Sequence, residues 1–267
     1  MSIVIVLTIT AGAVFWYKMS KPIYEPGNLH NSKNLHYSLT PPRQTGAEDF
    51  WTVEPDIHLY HFSQGEVKNA LIIHGGPGQP YRELWPGLSP LEDEFRFNYY
   101  DQRGSGDSTR PVKGFESNNY YDNVSKLDQA LGISAQIADI ERIRQILDEE
   151  KLVLIGHSFG GFLASLYASE FPENVEALVL IAPADMLVMP QENEGGLFEM
   201  VRQNLPDGLQ NEYDQYIQEC LNFQDIFSKT EADLVVLNEK FRKYYLTAVG
   251  DNSLPEKNGA EPGGWMV

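Results

Sequence analysis

Apolar residues along the chain fall into short runs separated by polar, turn-prone stretches, and the spacing within each run predicts its element. Ile57–Phe62 and Ala70–Ile73 read as strands divided by the turn segment "SQGEVKN", and Phe95–Tyr100 reads as a third. From Ser134 to Leu147, Ile137, Ile140, Ile143, Ile146 and Leu147 recur every three or four residues with charges between them, which predicts an amphipathic helix. Leu152–Ile155 is a continuous apolar run of the kind expected from a strand buried on both faces. Phe159–Glu170 reads as a helix stopping before Pro172, and Ala177–Ile181 as another buried strand. The alternation predicts an α/β architecture around a doubly wound, mostly parallel sheet.

Beyond Met186 the texture changes. Pro190 and Gly195-Gly196 break the chain, and three helix-like segments follow near 197–204, 211–223 and 230–247. With 14 acidic and 6 basic residues, 186–267 is denser in negative charge than the rest. It reads as a helical lid following the strand that ends at Ile181. The expected organisation is therefore an apolar segment over 1–20, a linker over 21–50, a core over 51–185 and a lid over 186–267.

The first segment admits three readings. "SIVIVLTITAGAVFWY", residues 2–17, carries no charge and is followed by Lys18 and Lys21. As a helix it reaches ~24 Å, slightly short of the ~30 Å hydrocarbon core. A short membrane anchor is the favoured reading, with the flanking lysines pointing to a cytoplasmic domain and the side left open. A signal peptide cut near Ala11-Gly12-Ala13, which would make the protein exported, and a buried element are the alternatives.

The chain has 267 residues, enough for one α/β domain with an insertion. Its 38 acidic and 20 basic residues leave a net charge of −18, which argues against a nucleic-acid partner. Cys220 is the single cysteine, so no intrachain disulfide forms, and the six histidines are scattered without metal-site spacing. Neither a metal nor an organic cofactor is expected.

The candidate chemistry sits at two glycine-rich bends. In "LVLIGHSFGG", residues 152–161, an apolar strand runs into Gly156-His157-Ser158-Phe159-Gly160 and then a helix. Such a turn lifts a serine hydroxyl out of the sheet, while the glycines clear space and the helix N-terminus supplies N–H groups. A serine that merely caps the helix is the plainer alternative. In "LIIHGGPG", residues 71–78, a second strand ends in a glycine turn whose amides can approach a substrate oxygen. A third segment, "YYDQRGSGDS" over 99–108, offers Asp101 and Arg103 as a pair bracing the loops above the site.

"HGGPG", "YDQRGSG" and "GHSFGG", in this order and at these distances, resemble the proline iminopeptidases (prolyl aminopeptidases) of the α/β-hydrolase superfamily over about residues 50–267. The resemblance implies a serine aminopeptidase that releases an N-terminal residue, proline above all, from a peptide through an acyl-enzyme, under a helical cap. It implies Ser158 as nucleophile and the backbone N–H groups of Phe159 and of Gly76 or Gly75 as oxyanion donors. Carboxylates near the cap would hold the substrate's amine, with Glu192, Glu194 and Glu199 as candidates.

One part of the pattern is missing. The superfamily's triad runs Ser, then Asp or Glu, then His, yet no histidine follows Ser158. His157 should point to the opposite face from its neighbour, His74 is expected to shape its glycine loop, and Asp185 would have no histidine to orient. The expectation is an incomplete, inactive copy lacking the C-terminal strands with the triad Asp and His, hence an exposed sheet edge and a tendency to aggregate. A carboxylesterase or amide hydrolase of the same fold, acting on a small ester or amide, and a non-catalytic membrane-tethered pseudo-hydrolase are the alternatives.

Overall fold

A computed structural model describes residues 27, 29, 35, 37–46, 49–184, 196–220, 222, 225–250 and 260–265. Among these residues six strands make one mixed sheet: β1 Phe50–Glu54, β2 Ile57–Gln64, β3 Lys68–Ile73, β4 Phe95–Tyr100, β5 Leu152–His157 and β6 Val175–Ile181, in the order β1-β2-β4-β3-β5-β6. The β1/β2 and β2/β4 pairs are antiparallel; β4, β3, β5 and β6 run parallel. The mostly parallel sheet is the one the pattern predicts, with an antiparallel ribbon on one edge, in the α/β-hydrolase architecture that the resemblance implies.

Period-two alternation decides which residues fill each layer. Leu71 and Ile73 of β3 and Leu152 and Leu154 of β5 face helices α2 (Ile133–Ile146) and α3 (Phe159–Glu170), meeting Ile137, Ile140, Ile143, Leu163 and Tyr167. Their neighbours Ala70, Ile72, Val153 and Ile155 point the other way, onto Phe97, Tyr99 and the segment carrying Tyr81, Leu84, Trp85 and Leu88. The expected helix over 134–147 thus forms with its isoleucines inward.

Two elements were not foreseen. Strand β1 is five residues of "FWTVE", too short to show a period, and only pairing with β2 defines it. Helix α1, Tyr120–Leu131, has Tyr120, Val124, Leu127 and Leu131 at helical spacing, but Tyr120 and Val124 stay exposed, so its stripe is buried only at the C-terminal end. Its start is marked instead by Asn119, whose side chain accepts from Tyr121 N–H.

The three later helices form as α4 Leu197–Asn204, α5 Asp207–Cys220 and α6 Glu231–Ala248. They share a separate apolar cluster in which Tyr213, Tyr216, Leu234 and Tyr244 join Val112, Leu131 and Trp265. Thr230 and Asp233 form a reciprocal capping box that starts α6.

Strand β6 differs from the expectation of a buried strand. Leu178, Val179, Leu180 and Ile181 are 37–44% exposed, because among the described residues β6 is paired on one side only and lies at the sheet edge. The apolar 2–17 segment and Asp185 lie outside the described residues. No helix among the described residues is long and apolar enough to cross a membrane.

Candidate active site

The turn from β5 into α3 has the strain its sequence suggested. Ser158 sits at φ 51°, ψ −122°, a region glycine takes readily and side-chain-bearing residues seldom do. It occupies the N-cap position of α3, yet its side chain makes no capping hydrogen bond. The plain alternative, a serine that caps the helix, is thereby removed. Backbone bonds fix the turn: Ser158 N–H donates to Ile181 O at 3.1 Å, and Ser158 O accepts from Gly161 N–H and Ala184 N–H, both at 2.9 Å. Phe159 opens the helix, so its N–H has no intrahelical acceptor.

Close packing explains the flanking glycines. A Cβ on Gly156 would meet Gly160 O at 2.5 Å and Gly161 Cα at 2.6 Å, and one on Gly161 would meet Pro183 Cβ at 2.8 Å. A Cβ on Gly160 would fall on Ile73 O and within 2.6 Å of His74 O, both backbone atoms at the end of β3. Helix α3 therefore starts directly against the strand that leads into the second bend.

That bend abuts the serine. A Cβ on Gly75 would lie 2.9 Å from Ser158 Cβ and 3.1 Å from His157 O. Gly76 follows at φ 122°, a conformation available to glycine, and Gln79 N–H donates back to Gly75 O at 3.1 Å. Gly75 and Ser158, more than eighty residues apart in sequence, are thus brought together.

His74 and His157 are both committed elsewhere. His74 is fully buried; its Nδ1 lies 2.9 Å from Gly75 O and its Nε2 accepts from Gln102 N–H at 3.0 Å, so the neutral ring carries its proton on Nδ1. Gln102 Nε2 donates to His74 O at 2.8 Å. Burial pulls His74 down to about 4, against a smaller opposing pull from the Gly75 carbonyl. His157 is half-buried, its Nδ1 is 2.7 Å from the Tyr81 hydroxyl, and burial lowers its pKa.

The expected Asp101–Arg103 pair does not form. Asp101 is bound by both terminal nitrogens of Arg82, at 2.7 and 2.8 Å, and accepts from Asp107 N–H at 2.8 Å. Arg103 turns to the opposite side and pairs with Asp139 at 2.5 Å and Glu54 at 3.0 Å, beside Arg142. Four buried charges, two of each sign, neutralise one another there. Arg82 and Asp139 lie far from this motif in sequence, so the motif itself could not name them. Bracing remains the physical role, with different partners. Gly106, at φ 54°, is required because a Cβ there would overlap the Asp101 carboxylate.

Of the three carboxylates considered for an amine, Glu192 and Glu194 lie outside the described residues. Glu199 is exposed on α4 and accepts from Gln203 Nε2 at 2.8 Å. Glu231, which the sequence did not single out, is buried and saturated by Arg110 at 2.6 Å, Gly264 N–H at 2.9 Å and Trp265 N–H at 3.1 Å. Gly263 N–H also donates to Gly78 O, so the 261–265 strap joins α6 to the glycine bend.

A strained serine between a parallel strand and a helix, against a glycine bend from the neighbouring strand, defines a class of protein. The alpha/beta hydrolase fold family model matches residues 71–227, and the chain belongs to that family. Its curated relatives include the proline iminopeptidase of Chitinophaga pinensis, 32% identical over 42% of this chain and 33% of its own length. A putative proline iminopeptidase of Mycoplasma genitalium is 29% identical over 70% of this chain and 60% of its own length. The chain therefore spans between a third and three-fifths of these two relatives. Among solved structures, a proline iminopeptidase-related protein of Thermus thermophilus is 26% identical with a TM-score of 0.44, covering 61% of this chain and 54% of that one.

Proposed function

We propose that this chain carries the nucleophile half of a serine aminopeptidase of the proline iminopeptidase type. In this reading Ser158 Oγ attacks the carbonyl of the N-terminal residue, and the tetrahedral oxyanion is received by the N–H groups of Phe159 and of Gly76 or Gly75. Collapse expels the rest of the peptide as its amine and leaves an acyl-enzyme for water to cleave. Helices α4–α6 act as the cap over the bend. The observation that carries the proposal is the strained Ser158 backbone against a bend so close that a Cβ on Gly75 would lie 2.9 Å from Ser158 Cβ, because strain at an uncapped serine is unexplained by packing alone.

Among the described residues, the two histidines beside these bends are already committed. His74 has both ring nitrogens engaged, and His157 is engaged by Tyr81. The base and its acid partner are therefore proposed to lie in sequence beyond these residues, and the present chain alone to retain only weak catalysis from its oxyanion donors, roughly 10³–10⁴-fold over water.

The test is to express the chain with its downstream reading frame and assay prolyl-β-naphthylamide beside a short-chain p-nitrophenyl ester. Hydrolysis of the amide, abolished by Ser158→Ala, is the expected result. Activity on the ester alone would remove the peptidase assignment, and activity that survives Ser158→Ala would remove the nucleophile.

A further inference from the structure

The second glycine bend has little stiffness of its own. Gly75, Gly76 and Gly78 follow one another closely, with φ 122° at Gly76 and 69° at Gly78, and glycine gives up more backbone freedom on ordering than any other residue. An internal bond closes the bend, from Gln79 N–H to Gly75 O at 3.1 Å. Another reaches it from outside: Gly263 N–H donates to Gly78 O at 2.9 Å.

The strap that carries Gly263 is held from two sides. Arg110, two residues past the third motif, donates through Nη1 to Pro262 O at 3.0 Å and to Glu231 Oε1 at 2.6 Å, and through Nη2 to Glu261 O at 2.9 Å. Gly106 N–H, from the same loop, donates to Glu261 O at 2.8 Å. Glu231, the first residue of α6, also accepts from Gly264 N–H and Trp265 N–H. Further along α6, Asn238 Nδ2 donates to Gly263 O at 2.6 Å and to Gly264 O at 3.2 Å. Gly264 is required here, because a Cβ would fall on Glu231 O. The Trp265 ring anchors the strap's end edge-on against Phe115 at 4.9 Å.

The side chains of Arg110 and Glu231 are only 11% and 10% exposed. An ion pair withdrawn from water adds little net stability; what it adds is a single arrangement of the groups around it. A planar guanidinium can face a carboxylate and two carbonyls at once, which a lysine point charge cannot. We propose that Arg110 is a positioning residue: paired with Glu231, it seats the 261–265 strap so that Gly263 N–H fixes Gly78 O, and α6 thereby sets the glycine bend against Ser158. The bend is then complete only while the cap is seated. Its meaning as an oxyanion donor rests on the hydrolase reading above, whereas the clamp is a property of the folded chain.

Amide hydrogen exchange on Arg110→Met in the full chain tests the clamp. Gly263 N–H and Gln79 N–H are expected to exchange roughly tenfold faster than in the wild type, the order expected for one lost hydrogen bond, while the amides of β3 and β5 keep their rates. Faster exchange at Gly263 with Gln79 unchanged would show that the strap merely covers the bend and would overturn the proposal. Unchanged exchange at both, or an increase shared by β3 and β5, would overturn it equally. Should Arg110→Met not fold, Asn238→Ala loosens the same strap from the α6 side, and the same two amides decide. With the downstream reading frame present and prolyl-β-naphthylamide as substrate, Arg110→Met should lower kcat roughly tenfold and leave KM unchanged, since a misplaced oxyanion donor is felt only in the transition state. A raised KM with unchanged kcat would remove the positioning role. If the wild type hydrolyses nothing, the hydrolase reading fails, and the Gly263 and Gln79 amides still decide the clamp.

Discussion

Replacing Ser158 by glycine should stabilise the protein, whereas replacing it by alanine should not. At φ 51°, ψ −122° the Cβ of Ser158 crowds its own backbone, and a residue held in such a region costs ~1–3 kcal/mol. Glycine relieves that cost and gives back ~0.4–1 kcal/mol through the greater freedom of its unfolded chain. The difference is a net gain of about 1 kcal/mol. Alanine keeps the Cβ and therefore the strain, while losing the same hydroxyl. For a chain of this size the gain corresponds to a rise in Tm of about 2–4 °C for Ser158→Gly over Ser158→Ala. Thermal unfolding followed by far-UV circular dichroism on the two variants side by side reads the difference directly. The comparison cancels any contribution of the hydroxyl, so equal midpoints would show that the elbow is unstrained and remove the principal support for Ser158 as nucleophile.

Three further outcomes are expected. Gly160→Ala gains ~1 kcal/mol of helix propensity, but its Cβ meets the Ile73 and His74 carbonyls; rigid backbone cannot yield, so a net loss of roughly 2 kcal/mol is expected in chemical denaturation, and a stabilised variant would show that α3 does not start against β3. His74 has a folded pKa of about 4, below its ordinary value of ~6.5. The unfolded chain thus binds a proton that the folded chain refuses, and the His74 contribution is complete above ~6.5 and falls by ~1.4 kcal/mol per pH unit on acidification towards 4; a His74→Asn variant whose stability keeps the full wild-type slope in that interval would contradict the burial. Finally, the exposed apolar run Leu178–Ile181 on the edge strand should drive self-association. Light scattering should fall on Val179→Lys, and a wild type that stays monomeric at high concentration would show this edge to be harmless.

Much of the molecule was legible before any coordinates. Period-two and period-3.6 spacing located strands at 57–62, 70–73, 95–100 and 152–155 and the helix over 134–147, because those residues owe their places to burying one face of a regular element. Glycines in "GHSFGG" and "HGGPG" announced bends that only glycine fits, and the Gly75 bend does pack against Ser158. What remained hidden has a common cause. Strand β1 exists through its pairing with β2, Asp101 chose Arg82 over the nearer Arg103, and Tyr81 reached His157 across seventy-six positions. Periodicity reports how a residue stands relative to its own element, whereas a charge or hydroxyl finds its partner only after elements dock, and that docking decides which of several adjacent groups is left free.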